Sequence, residues 1–212
     1  MKKNFNTGLS LTRAAMERME AKKDGVLFTS ALKKLVNMTP NALEKFLGKI
    51  QTIFGRLKKV VSGISLEATE TFRLADFYKN KDQGGIFAYV DSDIHKWFDG
   101  EVKNSPAKEL ASYEFAEDIT EENIIGDAKA DEIYEEVDLA HISQVCHRHI
   151  IRGEKLLLED GKANLFWVRN KSGGLCEVFV WLSVDGWEVS VREFGASLEW
   201  DLGGGSFFRN KR

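Results

Sequence analysis

The chain has 212 residues, enough for one large domain or for one domain and an appendage, and its 43% hydrophobic content with 14 Phe and 5 Trp supplies a core. A charged fraction of 30% at a net charge of −3 suits a globular protein and sets aside disorder as the main state. No run approaches the roughly 20 apolar residues of a membrane span, Met1-Lys2-Lys3 leads into polar Asn4 and Asn6 instead of an apolar signal core, and Cys146 and Cys176 are too few to staple a chain of this size, so a cytoplasmic protein with reduced thiols is expected.

Charge is unevenly spread. Residues 1–60 hold 13 Lys and Arg against 4 Asp and Glu, residues 61–140 hold 7 against 20, and residues 141–212 hold 10 against 9. Opposed fields in adjacent blocks let the two parts attract each other or face different partners. The inversion falls near Ser62-Gly63 and divides the chain into a basic helical segment, 1–62, and an α+β domain, 63–212.

In the first part, Leu11, Ala14, Ala15 and Met19 have helical spacing, which Asp24-Gly25 would end. Thr29 or Ser30 can cap a short helix carrying Leu32, Leu35 and Val36. Thr39-Pro40 is the strongest local signal, with a hydroxyl at the cap and a proline in the first turn, where its missing N–H costs nothing. The helix expected from there follows Leu43, Phe46, Leu47, Ile50, Phe54, Leu57 and Val61 and stops near Ser62-Gly63. Its other side carries Lys45, Lys49, Arg56, Lys58 and Lys59, joined by Lys33 and Lys34 from the preceding segment. Such a face can meet nucleic-acid phosphates, as in a helix-turn-helix, or be solvated, or dock on the acidic block. Side chains placed to read base edges are not evident in it.

Beyond Gly63, Ile64, Leu66 and Ala68 alternate as a strand, 72–78 reads as strand or helix, and 86–90 reads as a strand. Asp91 to Asp93 can cap a helix through Trp97-Phe98, residues 103–109 with Pro106 read as a loop, and 110–115 as a short strand. Thr120 can cap a short helix. Residues 127–138 hold 6 acids against Lys129, a self-repelling run that reads as an exposed linker.

Asp138 suits the N-cap of a helix over 139–151, with Gly153 near its end. The period then changes to two. Residues 163–169, 175–182 and 187–194 are strands joined by Ser172-Gly173-Gly174 and by Asp185-Gly186, a type I′ hairpin signal, so the three form an antiparallel meander packed on helices. The second strand has cover on both faces; the third presents Trp187, Val189 and Val191 to the core and Glu188, Ser190 and Arg192 to water. Trp200 and Phe207-Phe208 add a short last strand or clasp.

Phe72-Arg73-Leu74, the strand at 86–90, Ala163-Asn164-Leu165-Phe166-Trp167, Gly186-Trp187-Glu188-Val189 and Phe207-Phe208-Arg209-Asn210 resemble segments of an uncharacterised family of small proteins from uncultured bacteria. The resemblance covers roughly residues 70–210. It implies an α+β fold and brings no activity, substrate or site residue with it.

Chemistry is sparsely signalled. Cys146 and His149, three apart on one helix face, with Cys176 on a later strand, are the weak candidates for a metal site and a metal-dependent hydrolase; a fourth ligand is missing. Cys146 and His147 are neighbours about 100° apart on a helix, which argues against a nucleophile and base. No phosphate loop, dinucleotide fingerprint or nucleophile elbow occurs, and no cofactor is implied. The expected function is therefore non-enzymatic binding of a protein partner or nucleoprotein assembly, with nucleic-acid binding through residues 33–59 as the alternative.

Overall fold

The computed structural model describes residues 55–98, 100–195 and 199–211. The helices expected over 11–54 lie outside them. The described chain is a mixed α+β fold built on one large, mostly antiparallel sheet.

Its strands are β1 (Leu57–Leu66), β2 (Thr69–Arg73), β3 (Tyr89–Val90), β4 (Glu101–Ser105), β5 (Lys108–Phe115), β6 (Ile119–Thr120), β7 (Asn164–Arg169), β8 (Leu175–Ser183), β9 (Gly186–Glu193), β10 (Glu199–Trp200) and β11 (Gly205–Arg209). The helices are α1 (Leu74–Phe77), α2 (Ser92–Trp97), α3 (Glu121–Ala130) and α4 (Leu139–Cys146), the last running on as a π-helical turn over His147–Ile151. Seven strands form the main sheet in the order β1-β5-β11-β7-β8-β9-β3. The β11-β7 and β3-β9 pairs are parallel and the rest antiparallel. β2 with β4, and β10 with β6, make two small ribbons.

Alternation along the strands divides the core between the sheet's two faces. Phe166, Val168, Cys176, Val178, Val180, Val189, Val191 and Phe207 pack with Leu139, Ile142 and Val145 of α4 on one face. Leu165, Trp167, Phe208, Tyr113 and Phe115 pack with Ile124, Ile125 and Ala128 of α3 on the other. The caps read from the sequence are present: Asp91 accepts from Asp93 N, Thr120 from Asn123 N, and Asp138 from His141 N.

Several expectations are corrected. The helix expected to reach Val61 gives way to β1, which runs from Leu57 through Ser62-Gly63 to Leu66. Register shifts between Lys59 and Val61 and between Val61 and Ile64 insert extra residues into the pleat. Covered positions therefore fall at 57, 61 and 64, the i, i+4, i+7 spacing of a helix. Of residues 86–90 only Tyr89–Val90 is strand, because Phe87 turns inward to the core and its carbonyl accepts from Lys81 N. The loop expected over 103–109 shrinks to Pro106-Ala107, since the polar β4 pairs with β2 in its own ribbon. In the β8-β9 hairpin Val184 and Asp185 form the tip, and Gly186 alone has positive φ, +125°, so the turn is not type I′.

The acidic run is no linker. Asp127 takes both ends of the Arg56 guanidinium, at 2.7 and 2.6 Å. Glu135 receives Lys108 and Arg209, Glu136 receives Arg169, Glu132 receives Lys211, and Asp138 caps α4. Repulsion read along the sequence is relieved by cations that are distant in it. The last strand is also more than a clasp: β11 lies mid-sheet, between β5 and β7.

Candidate functional site

Of the cationic candidates, Lys33, Lys34, Lys45 and Lys49 lie outside the described residues. Arg56 is bound to Asp127. Lys58 is exposed on β1 directly opposite Glu114 of β5, and Lys59 donates to the Lys211 carbonyl at 2.9 Å while its ammonium sits over the Tyr113 ring. Each of these three thus faces a partner inside its own domain.

Cys146 and Cys176 are both buried free thiols, and burial pushes each up in pKa, away from the reactive thiolate. His149 is 4% exposed; its Nδ1 accepts from Leu156 N and Leu157 N, each at 3.2 Å, Nε2 lies 3.3 Å from Glu159 Oε1, and the ring meets Trp187 edge-on. Both ring nitrogens are thereby engaged. Among the described residues no three His, Cys, Asp or Glu side chains converge as metal ligands.

Two buried polar clusters went unread in the sequence. The first joins Ser105, Asp138 and His141, the residue types of a hydrolytic triad. Ser105 Oγ donates to Asp138 Oδ2 at 2.7 Å, and lies 3.1 and 3.5 Å from the two nitrogens of His141. That places it off the edge of the ring instead of along one lone pair. His141 Nε2 faces the Pro106 carbonyl at 2.7 Å, and Nδ1 accepts from Asp138 N at 3.2 Å. Nδ1 also lies 3.0 Å from Asp138 Oδ1, so both ring nitrogens are engaged, the serine hydroxyl is directed to the aspartate, and no base is free to take its proton. Burial would raise the Asp138 pKa, but the bonds from His141 and Ser105 outweigh it and hold the carboxyl low. The cluster is a capping box with a serine added. Its trace in the sequence is Asp and His three apart at the start of α4.

The second cluster lies on the α3 side of the sheet. The β8-β9 register sets Glu177 opposite Arg192, and the Thr120 cap sets Glu121 at the start of α3. Both glutamates are fully buried. Glu177 Oε2 accepts from Arg192 Nε at 2.6 Å and Oε1 from Trp200 Nε1 at 2.9 Å. Glu121 Oε2 accepts from Gly195 N at 2.9 Å. Glu121 Oε1 and Arg192 Nη2 approach to 3.2 Å, yet neither atom makes a well-directed hydrogen bond. The guanidinium lies 4.1 Å from the Trp200 ring centre and 5.4 Å from that of Phe179, so the water-facing side expected for Arg192 is in fact covered. Burial pushes the Glu177 carboxyl up; Arg192 opposes this, Glu121 adds to it, and the pKa stands at about 7.

A surface concavity among the described residues, with a volume of about 290 Å³, is lined by Pro106, Lys108, Glu109, Glu135, Arg209 and Asn210 and lies at the ends of β5 and β11. Its charges are mutually engaged, Lys108 and Arg209 on Glu135 and Asn210 on Glu109. Among the described residues no helix is long and apolar enough to cross a membrane. No protein-family model matches the chain, and no curated protein or solved structure matches it either.

Proposed function

We propose that the chain is a cytoplasmic, non-enzymatic protein that binds a macromolecular partner, and that the partner adds an extended, acidic segment to the outer edge of β1. The observation that carries this reading is the edge itself: among the described residues no strand pairs with β1 on the side away from β5. An open edge offers a row of backbone donors and acceptors to an incoming strand. Val60, 41% exposed between Lys58 and Lys59 on one side and Val61 on the other, gives such a strand an apolar contact. Lys58, exposed and only facing Glu114 across the strands, repels a second copy of the same edge and attracts carboxylates, and Lys59 adds its charge from its place on the Lys211 carbonyl, which is selection by charge. One observation agrees with a binding role: Cys146 is buried, and the polar atoms of His149 and of the Ser105 cluster are engaged within the fold.

The test is titration of the full chain with a peptide alternating Val and Glu, and with one alternating Val and Lys, followed by amide exchange. The Val-Glu peptide is expected to bind and to slow exchange within β1, and Lys58→Glu with Lys59→Glu to reverse the preference. Binding that leaves β1 exchange unchanged, or no binding of either peptide, rejects the reading. Retention of duplex DNA that falls steeply with salt would instead favour the nucleic-acid alternative and its candidate residues between 33 and 59.

A further inference from the structure

We infer that Glu177 is a proton-operated latch on Trp200: ionised, its carboxylate holds the Trp200 indole and Arg192 together, and protonated, it lets go of the indole. The argument is a count of charges and donors. Among the described residues, the charged groups facing Glu177 are Arg192 of β9 and Glu121 of α3, and its neighbours Trp167 of β7 and Trp200 of β10 are neutral. With both glutamates ionised, one guanidinium serves two buried carboxylates, and a surplus negative charge sits beneath the sheet's cover. A proton on Glu177 removes the surplus.

That proton must sit on an oxygen that already has a donor. Both Glu177 oxygens already face donors, Arg192 Nε at 2.6 Å and Trp200 Nε1 at 2.9 Å. A carboxylic acid keeps one strong acceptor, its carbonyl oxygen, so one of the two donors is left on the weaker hydroxyl oxygen. The neutral indole N–H holds less strongly than the guanidinium and is the one displaced. Among the described residues, Trp200 packs at the margin of the buried cluster under α3 and makes few other polar contacts. β10 is two residues long, paired only with Ile119 and Thr120, and the ring otherwise rests on Arg192 and Phe179. The group titrates in the range where a cell can use it, since burial brings Glu177 to about 7. Arg192 keeps 21% of its side chain exposed, which gives protons a route in from solvent.

The experiment follows the Trp200 indole N–H by nuclear magnetic resonance on the full chain between about pH 5 and about pH 9, with Trp200→Phe to assign the signal. A single shift centred near neutral pH is expected, together with titration of one buried glutamate carboxyl at the same midpoint. Glu177→Gln should abolish the transition, and Glu121→Gln, which removes the repelling charge, should move it to lower pH. An indole signal that does not move across the range, or a transition that survives in Glu177→Gln, overturns the latch. If Glu177→Gln fails to fold, the wild-type carboxyl titration and the Glu121→Gln shift still decide it, and a carboxyl that titrates without moving the indole signal rejects it.

Discussion

The two buried polar clusters differ in one respect that governs how each behaves. Around Ser105, Asp138 and His141 every donor meets an acceptor and the single carboxylate is held ionised by its hydrogen bonds. Around Glu177, Glu121 and Arg192 the hydrogen bonds are nearly complete but the charges are not, because two acids share one cation. Residue types alone would suggest chemistry at the first cluster and scaffolding at the second. Donor counting reverses that: the triad-like set is a helix cap, and the carboxylate pair is the one left with an unbalanced charge.

The comparison breaks most visibly at Arg192. Arg192→Met leaves two buried carboxylates uncompensated, and a loss of about 3 to 5 kcal/mol is expected at about pH 8. The loss should be smaller at about pH 5, where Glu177 carries a proton. Urea unfolding at the two pH values measures both, and equal losses would show that the guanidinium acts by packing alone.

The next effect is the pH dependence of the intact chain. The folded pKa of Glu177 is raised from 4.5 to about 7, so the folded state binds its proton more tightly than the unfolded chain does. Its contribution is fully present below about pH 4.5 and is lost as pH rises through about 7, a change on the order of 3 kcal/mol. Asp138 runs the other way. Its folded pKa is depressed, so its contribution is present above the ordinary aspartate range and is lost as pH falls through the folded value. Stability of Glu177→Gln should therefore lose its decline between about pH 5 and about pH 7 while keeping its loss in acid. A decline unchanged by the substitution would assign it to other groups.

At the first cluster the expected losses are smaller. Asp138→Ala removes the α4 cap and the Ser105 acceptor, at about 1 to 2 kcal/mol by thermal or urea unfolding. Asp138→Ser should recover most of the cap, since a hydroxyl can still accept from His141 N. Ser105→Ala should be milder still, because His141 keeps both of its contacts without it.

How much of this was legible in the sequence depended on how far each signal reached along the chain. Local signals carried well: the Asp91, Thr120 and Asp138 caps and the β7-β8-β9 meander follow from neighbouring residues and period-two alternation. The part of β1 up to Val61 reads as helix in the sequence because its bulges imitate helical spacing, and only β5 across from it reveals the register, whereas the alternation of Ile64 and Leu66 marks its end as strand. The acidic run was misread for a related reason. Lys108, Arg169, Arg209 and Lys211, which neutralise it, are scattered over a hundred residues and meet it only in the fold. The Glu177 cluster left one trace, an acid on the covered strand β8 that the hairpin register pairs with Arg192. Neither Glu121 nor Trp200 could be added from sequence, since one comes from a helix and the other from a two-residue ribbon on the far side of the sheet.

The smallest expected effects sharpen the contrast between charges inside the fold and charges at its surface. Arg56 grips Asp127 with two hydrogen bonds, and the two side chains are 29% and 28% exposed. Lys58 only faces Glu114 across an exposed stretch of β1. Water screens the second pair far more than the first, and a lysine stem keeps more freedom than a forked guanidinium held at two points. Arg56→Ala should cost about 1 kcal/mol and Lys58→Ala less than about 0.5 kcal/mol, with the Arg56 loss shrinking in high salt. A Lys58→Ala loss as large as that of Arg56→Ala would mean that the β1 lysine is spent on folding, and the acidic strand proposed for that edge would lose its electrostatic basis.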